Sequence, residues 1–215
     1  MQIELQKIIP VPLKDKFAQR GSDVWNKELR FLEREWIKLK APSGTGKTTL
    51  VHIIYKLRSD YEGNVLWDNN NLRSIASNEL AKMRQQYISI VFQDLRLFPN
   101  LTAKENIELN RVLQKPIYES RAIEVMAARL NISHILQQRA ALCSYGEQQR
   151  IAIIRALVQP FEWLIMDEPF SHLDEENIKR ASGLIAEECD KRNAGFVITD
   201  LEDDTHFHYT KQLNL

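Results

Sequence analysis

The run Ala41-Pro42-Ser43-Gly44-Thr45-Gly46-Lys47-Thr48-Thr49 carries the sharpest chemistry in this sequence. Wrapping a polyphosphate requires successive backbone N–H groups to face inward, which glycine permits through positive φ and close approach. Gly44 and Gly46 offer that freedom. Lys47 brings a positive charge to the β- and γ-phosphates, and Thr48 brings a hydroxyl suited to Mg²⁺. A helix starting at the loop's end would aim the positive end of its dipole at the anion. The pattern is G-x-x-x-x-G-K-[ST] with Ala41 in place of the first glycine. That replacement costs something only if position 41 must adopt positive φ. The run is read as a nucleoside triphosphate site.

The loop alone does not separate kinases, GTPases, recombinases and transport ATPases. Asp167-Glu168 narrows the choice, because it ends the apolar run Trp163-Leu164-Ile165-Met166. A carboxylate at a strand end can hold the Mg²⁺ shell through Thr48 or water. Glu168 then stands where it can orient or polarise an attacking water, the role of a general base.

These groups need a scaffold. Ile3 to Leu5 and Phe31 to Leu39 read as strands, the latter ending in Trp36-Ile37-Lys38-Leu39-Lys40, whose alternating lysines make it less apolar than a strand buried on both faces. Leu50, Val51, Ile53, Ile54 and Leu57 form the apolar stripe of a helix after the loop. Asn64–Trp67 and Ile88–Phe92 read as strands, the second ending at Gln93. Between 103 and 138 the character turns helical, with Ile123, Met126, Ala127 and Leu130 at i, i+3, i+4 and i+7. The pattern closes with Trp163–Met166, a helix from about Ile178 to Lys191, and a strand Phe196–Thr199. Strands alternating with helices predict an α/β fold, a mainly parallel sheet flanked by helices, with a helical subdomain inserted between strands.

Composition sets the outer limits. The 215 residues are 44% hydrophobic and 27% charged, which excludes wholesale disorder and allows a core without metal or disulfide staples. No apolar run approaches the ~20 residues of a membrane-spanning helix, and the opening Met-Gln-Ile-Glu-Leu-Gln-Lys does not resemble a signal peptide. Two cysteines, Cys143 and Cys189, point to a reducing cytoplasm, in which the sequons at Asn100 and Asn131 carry no sugar. Zero net charge gives no reason to expect nucleic acid as a partner. The charge is uneven, with 12 Lys/Arg against 7 Asp/Glu in 1–60 and 4 against 13 in 162–204. Solvated helix faces would explain this, as would basic and acidic ends facing each other across an assembly.

One more stretch lies between the two phosphate-site motifs: Cys143-Ser144-Tyr145-Gly146-Glu147-Gln148-Gln149-Arg150, followed by Ile-Ala-Ile-Ile-Arg-Ala-Leu. It resembles the signature peptide of ATP-binding cassette (ABC) proteins, Leu-Ser-Gly-Gly-Glu/Gln, and its helix. Gln93 resembles the glutamine of that family's Q-loop, and Ser171-His172-Leu173-Asp174 its D-loop. The motifs follow one another in the family's order and span nearly the whole chain. Asn78 to Arg84 followed by Ile90-Val91-Phe92-Gln93 is most similar to the branch serving lipoprotein release, macrolide export and cell division.

This resemblance implies a single cassette domain over 1–215, a P-loop NTPase core of mainly parallel sheet with an antiparallel β subdomain. Residues 1–92 and 160–215 would form the core and β subdomain, and about 94–158 the helical signature subdomain. It implies ATP and Mg²⁺ as cofactors, with Lys47, Gln93 and Glu168 catalytic and Thr48, Gln93 and Asp167 at the metal. Residues 41–49 would hold the nucleotide in cis, and Phe17, or else Trp25, would stack on the adenine. In a homodimer or heterodimer of cassettes, Ser144, Tyr145, Gly146 and Glu147 would meet the nucleotide in trans. Ser171 and Asp174 would tie the two sites together. Leu95, Leu97, Phe98 and Pro99 near Gln93 would seat a membrane permease subunit, although the same apolar residues would also serve as core. The chain would then sit in the cytoplasm, peripheral on the inner face of the cell membrane, and couple ATP-driven dimerisation to export or mechanical transmission.

Some positions depart from the family pattern. Tyr145 stands where the signature has its first glycine. Asp200 stands where the family has its switch histidine; an ionised carboxylate there repels phosphate, and His206 or His208 would have to substitute. Arg34 occupies a turn glycine's place. Slow hydrolysis with retained binding is therefore expected. The runner-up reading is a cassette-type ATP switch that gates a partner protein with little turnover. A P-loop kinase would leave Ser144 to Arg150 unexplained.

Overall fold

The computed structural model describes residues 1–14, 21–201 and 203–215. The described residues form two sheets. An antiparallel sheet contains β1 (Ile3–Pro10), β2 (Glu28–Phe31), β4 (Tyr61–Trp67) and β5 (Asn70–Asn71) in the order β2-β1-β4-β5. The second sheet runs β6-β7-β8-β3-β9, with β3 at Trp36–Lys40, β6 at Ile88–Val91, β7 at Trp163–Asp167, β8 at Gly195–Asp200 and β9 at Lys211–Asn214. Every pairing in it is parallel. Six helices are described: α1 (Lys47–Ile54), α2 (Ser77–Gln86), α3 (Ala103–Val112), α4 (Arg121–Arg129), α5 (Tyr145–Leu157) and α6 (Glu175–Arg192).

Phe31 to Leu39 is two strands rather than one. The chain turns at Leu32–Glu35, where Glu35 N–H donates to the Leu32 carbonyl at 3.1 Å, and Arg34 adopts φ 65°. β2 then pairs with β1 in one sheet and β3 with β8 and β9 in the other. The turn carries no glycine, proline or asparagine, so it lacks the usual punctuation of a strand end.

The lysines of β3 have separate explanations. Lys38 is fully buried and forms a short ion pair with Asp204, while Lys40 pairs with Asp203 near the surface. Tyr209 donates to both oxygens of Asp204, at 3.0 and 2.9 Å. Burial raises the Asp204 carboxyl, but the bonds from Lys38, the His206 N–H and Tyr209 outweigh it and hold the group below the usual carboxylate range. At these positions, part of the basic N-terminal stretch meets the acidic C-terminal stretch inside one chain.

The helices leave the parallel sheet where their sequences say they should. α3 begins with a capping box between Thr102 and Glu105, and α5 with one between Ser144 and Glu147. Asp174 caps α6 by accepting from Asn177 N–H at 2.8 Å. Apolar side chains from α3 to α6 pack with β6, β7 and β8 in one core, and α1 packs with β1, β3 and β4 in another.

Candidate nucleotide-binding site

β3 ends at Lys40 and α1 begins at Lys47, so the loop 41–46 sits at the C-terminal end of a central parallel strand. Gly44 and Gly46 adopt φ 76° and 100°, the left-handed region that glycine enters at no steric cost. Ala41 needs no such conformation, which explains how alanine replaces the glycine there; its N–H donates to the Asp200 carbonyl at 3.2 Å. Thr45 Oγ1 donates to the Pro42 carbonyl at 2.7 Å, bracing the loop. Ser43, Gly44, Gly46, Lys47, Thr48 and Thr49 line one cavity with Gln93 and Glu168.

Four side chains in this cavity form one connected network. Thr48 Oγ1 donates to Gln93 Oε1 at 3.0 Å, and Gln93 Nε2 donates to Glu168 Oε2 at 3.4 Å. Lys47 Nζ lies 3.2 Å from Glu168 Oε1 and donates to the Ala41 and Pro42 carbonyls at 2.6 and 3.0 Å. Glu168 adopts φ 48°, a conformation that costs a non-glycine residue free energy and that clusters at functional sites. Its N–H is held by Thr199, at 3.1 Å to the carbonyl and 3.2 Å to Oγ1.

Asp167 is buried at the end of β7. Its Oδ1 accepts from Thr199 Oγ1 at 2.6 Å, while Oδ2 is buried with no protein partner. The Thr48 hydroxyl, the Gln93 amide oxygen and the Asp167 carboxylate are hard oxygen donors of the kind Mg²⁺ takes, and the orphaned Oδ2 suits a water of its shell. Among the described residues no cluster of three His, Cys, Asp or Glu could hold a metal alone, so the donors here fit an ion shared with phosphates.

The signature segment lies nearby. Ser144 caps α5: Glu147 N–H donates to Ser144 Oγ at 3.4 Å, and Ser144 Oγ donates to Glu147 Oε2 at 2.8 Å. A Cβ on Gly146 would sit 3.0 Å from the His172 carbonyl, so glycine lets the 171–174 segment approach closely. Tyr145 reaches the Gln93 carbonyl and the ring of His172. Ser171 is exposed, and its N–H is 3.5 Å from the Glu168 carbonyl. Asp174 serves as the cap of α6 described above.

Some expected residues fall elsewhere. Phe17 lies outside the described residues, and Trp25, the second adenine candidate, is buried in the core. His206 and His208 are exposed, and neither lines the cavity. His206 instead stands edge-on to Phe170 at 5.9 Å. Leu95 is buried, whereas Phe98 is 57% exposed.

Other contributors were not singled out from sequence. Leu13 lines the cavity mouth. Thr199 clamps both acidic residues. Gln149, buried in α5, donates to the Glu168 carbonyl at 3.3 Å and accepts from His172 N–H at 3.3 Å. Arg84, Arg96 and Arg155 line a groove beside Gln93 with Tyr55, Phe92 and Leu113. Burial lowers the Arg155 guanidinium to about 10, so it stays charged at neutral pH. Side-chain contacts across the fold decide these roles, and no local pattern announces them.

A glycine-bearing loop at the end of a parallel strand, facing paired acids on the next strand but one, defines a P-loop nucleotide-binding protein. A family model described as "ABC transporter" matches residues 26–171, and the chain belongs to that family as an ATP-binding cassette. It is 34% identical over 182 residues to the lipoprotein-releasing system ATP-binding protein LolD of Buchnera aphidicola subsp. Schizaphis graminum, covering 80% of this chain and 79% of that one. It is 29% identical over 162 residues to the macrolide export ATP-binding/permease protein MacB of Marinobacter nauticus, covering 74% of this chain and 25% of that one. Among solved structures it is similar to the dimeric, post-hydrolysis state of the cassette MJ0796 bound to ADP and Pi, with a TM-score of 0.78 and 26% identity, covering 94% of this chain and 88% of that one.

Proposed function

We propose that the chain binds and slowly hydrolyses ATP with Mg²⁺, pairing with a second cassette to drive a membrane permease in export or mechanical transmission. The observation that carries this reading is the Thr48–Gln93–Glu168–Lys47 network, which gathers a hydroxyl, an amide, a carboxylate and an ammonium at one loop. Mg²⁺, when bound, would polarise the terminal phosphate and neutralise its charge. Thr48, Gln93 and, through water, Asp167 would hold it. Residues 41–49 would cradle the phosphates, Lys47 would bear on the β- and γ-phosphates, and Glu168 would orient the attacking water and take its proton.

In the paired state, Ser144, Gly146 and Glu147 would face the partner's nucleotide, with Ser171 and Asp174 at the contact between sites. Residues 94–158 would move as a unit against 1–92 and 160–215. The groove of Arg84, Arg96 and Arg155 is the proposed seat of the permease, and the chain would then sit at the inner face of the membrane. No helix among the described residues is long and apolar enough to cross a membrane, so a separate permease chain would supply the span.

Slow turnover is the reading that Asp200 at the switch position supports, where a carboxylate would oppose the γ-phosphate. The same residue, with Tyr145, favours the second reading, an ATP switch with little turnover that gates a partner protein. The solution mass of Glu168→Gln with Mg-ATP and with Mg-ADP separates the two. An ATP-only dimer supports the motor; a monomer in both, with ATP binding demonstrated, supports the switch.

A further inference from the structure

Tyr145 is the first residue of α5, and its hydroxyl donates to the backbone carbonyl of Gln93 at 3.0 Å. Its ring stands against that of His172 with centroids 4.3 Å apart. Gln93 is the residue whose side chain accepts from Thr48 and donates to Glu168. The chain after it bends sharply: Leu95 and Arg96 both adopt positive φ, at 56° and 48°. Such a bend persists only when its surroundings impose it.

α5 imposes it from both ends. At its C-terminal end, Arg155 donates to the Leu95 and Arg96 carbonyls at 2.5 and 2.7 Å. At its N-terminal end, Tyr145 holds the Gln93 carbonyl itself. The His172 ring on one side and the hydrogen bond at its tip restrict the Tyr145 side chain, although it is 43% exposed. A glycine at this position has no side chain with which to make either contact.

We infer that Tyr145 is a positioning residue for the metal-facing amide of Gln93, acting within its own chain and raising the affinity for Mg-nucleotide. This inference rests on the proposed reading of Thr48 and Gln93 as metal ligands. The tyrosine does not touch the metal or the phosphates. It fixes the backbone from which the Gln93 side chain extends, so its removal weakens the metal-dependent part of binding and spares the rest.

The test measures binding of the β,γ-imido analogue of ATP by calorimetry, with Mg²⁺ and with a chelator, so that turnover plays no part. For Tyr145→Phe we expect the gain in affinity from Mg²⁺ to fall about three- to tenfold, the size of one ordinary hydrogen bond, with metal-free affinity unchanged. Thr48→Ala serves as the control and should abolish most of the Mg²⁺ gain. A full Mg²⁺ gain in Tyr145→Phe, with the gain lost in Thr48→Ala, overturns the inference alone. A full gain in Thr48→Ala overturns the metal-site reading, and the inference with it. If Tyr145→Phe fails to fold, His172→Ala removes the ring support from an exposed loop and must show a smaller loss of the same kind; an unchanged gain there overturns the inference.

Discussion

Thr199 on β8 donates its hydroxyl to Asp167 Oδ1 on the neighbouring strand β7 at 2.6 Å, and both residues are buried. The same Oγ1 accepts from the Glu168 N–H at 3.2 Å. One side chain thus fixes the orientation of the carboxylate proposed to face the metal and the backbone of the proposed base. Asp167 Oδ2 is left without a protein partner.

Thr199→Val keeps the shape and removes this bond. Asp167 Oδ1 then joins Oδ2 as an unsatisfied buried acceptor, at a cost of about 1–3 kcal/mol in stability. The change should also weaken the Mg²⁺-dependent part of nucleotide binding by more than the metal-free part. Equilibrium denaturation and nucleotide titration with and without Mg²⁺ would measure both; wild-type values in each would show that Thr199 has no such role.

Lys38 and Asp204 form the second buried pair, and its effect depends on pH. A carboxyl held below its unfolded value stabilises the fold above that unfolded value, near 3.9, and loses the contribution as pH falls through the folded value. The wild type should therefore lose stability with acid below about pH 4 partly through Asp204, and Asp204→Asn should show a shallower acid limb in thermal melts. Lys38→Met leaves the acid buried without its cation and should cost about 3–5 kcal/mol at neutral pH. An unchanged acid limb in Asp204→Asn would contradict the assignment.

Arg34 turns the chain from β2 into β3 at φ 65°. A left-handed conformation costs an L-residue roughly 1–2 kcal/mol, while glycine's extra unfolded-state freedom returns roughly 0.5–1 kcal/mol. Arg34→Gly should therefore stabilise the protein by up to about 1.5 kcal/mol, a rise of a few degrees in Tm. A lower Tm would mean that the Arg34 side chain contributes more than its backbone strain costs.

Much of this architecture was legible because its signals are local. The P-loop, the apolar run before Asp167 and the stripe of Ile123, Met126, Ala127 and Leu130 each declare themselves within a few residues. The break at Arg34 did not, because no turn-forming residue marks it and the flanking residues alternate like a strand. Lys38 looked like a residue for a partly exposed strand. Its burial depends on Asp204 and Tyr209, far along the chain. Tyr145 was visible as a departure, but its target was not, since a bond to the Gln93 carbonyl is a property of the folded chain. The arginine groove and the Thr199 clamp were hidden for the same reason: their members meet only after strands and helices assemble.

Glu168 is the proposed base for ATP hydrolysis at a loop built around Lys47. The most direct measurement is a single-turnover assay with protein in excess over radiolabelled Mg-ATP, comparing the wild type with Glu168→Gln and Lys47→Ala. The wild type should convert the bound ATP slowly but completely to ADP and phosphate. Glu168→Gln should retain bound ATP with conversion at least a hundredfold slower, and Lys47→Ala should lose most of the binding. Conversion by Glu168→Gln at the wild-type rate, or an ATP affinity untouched by Lys47→Ala, would contradict these roles.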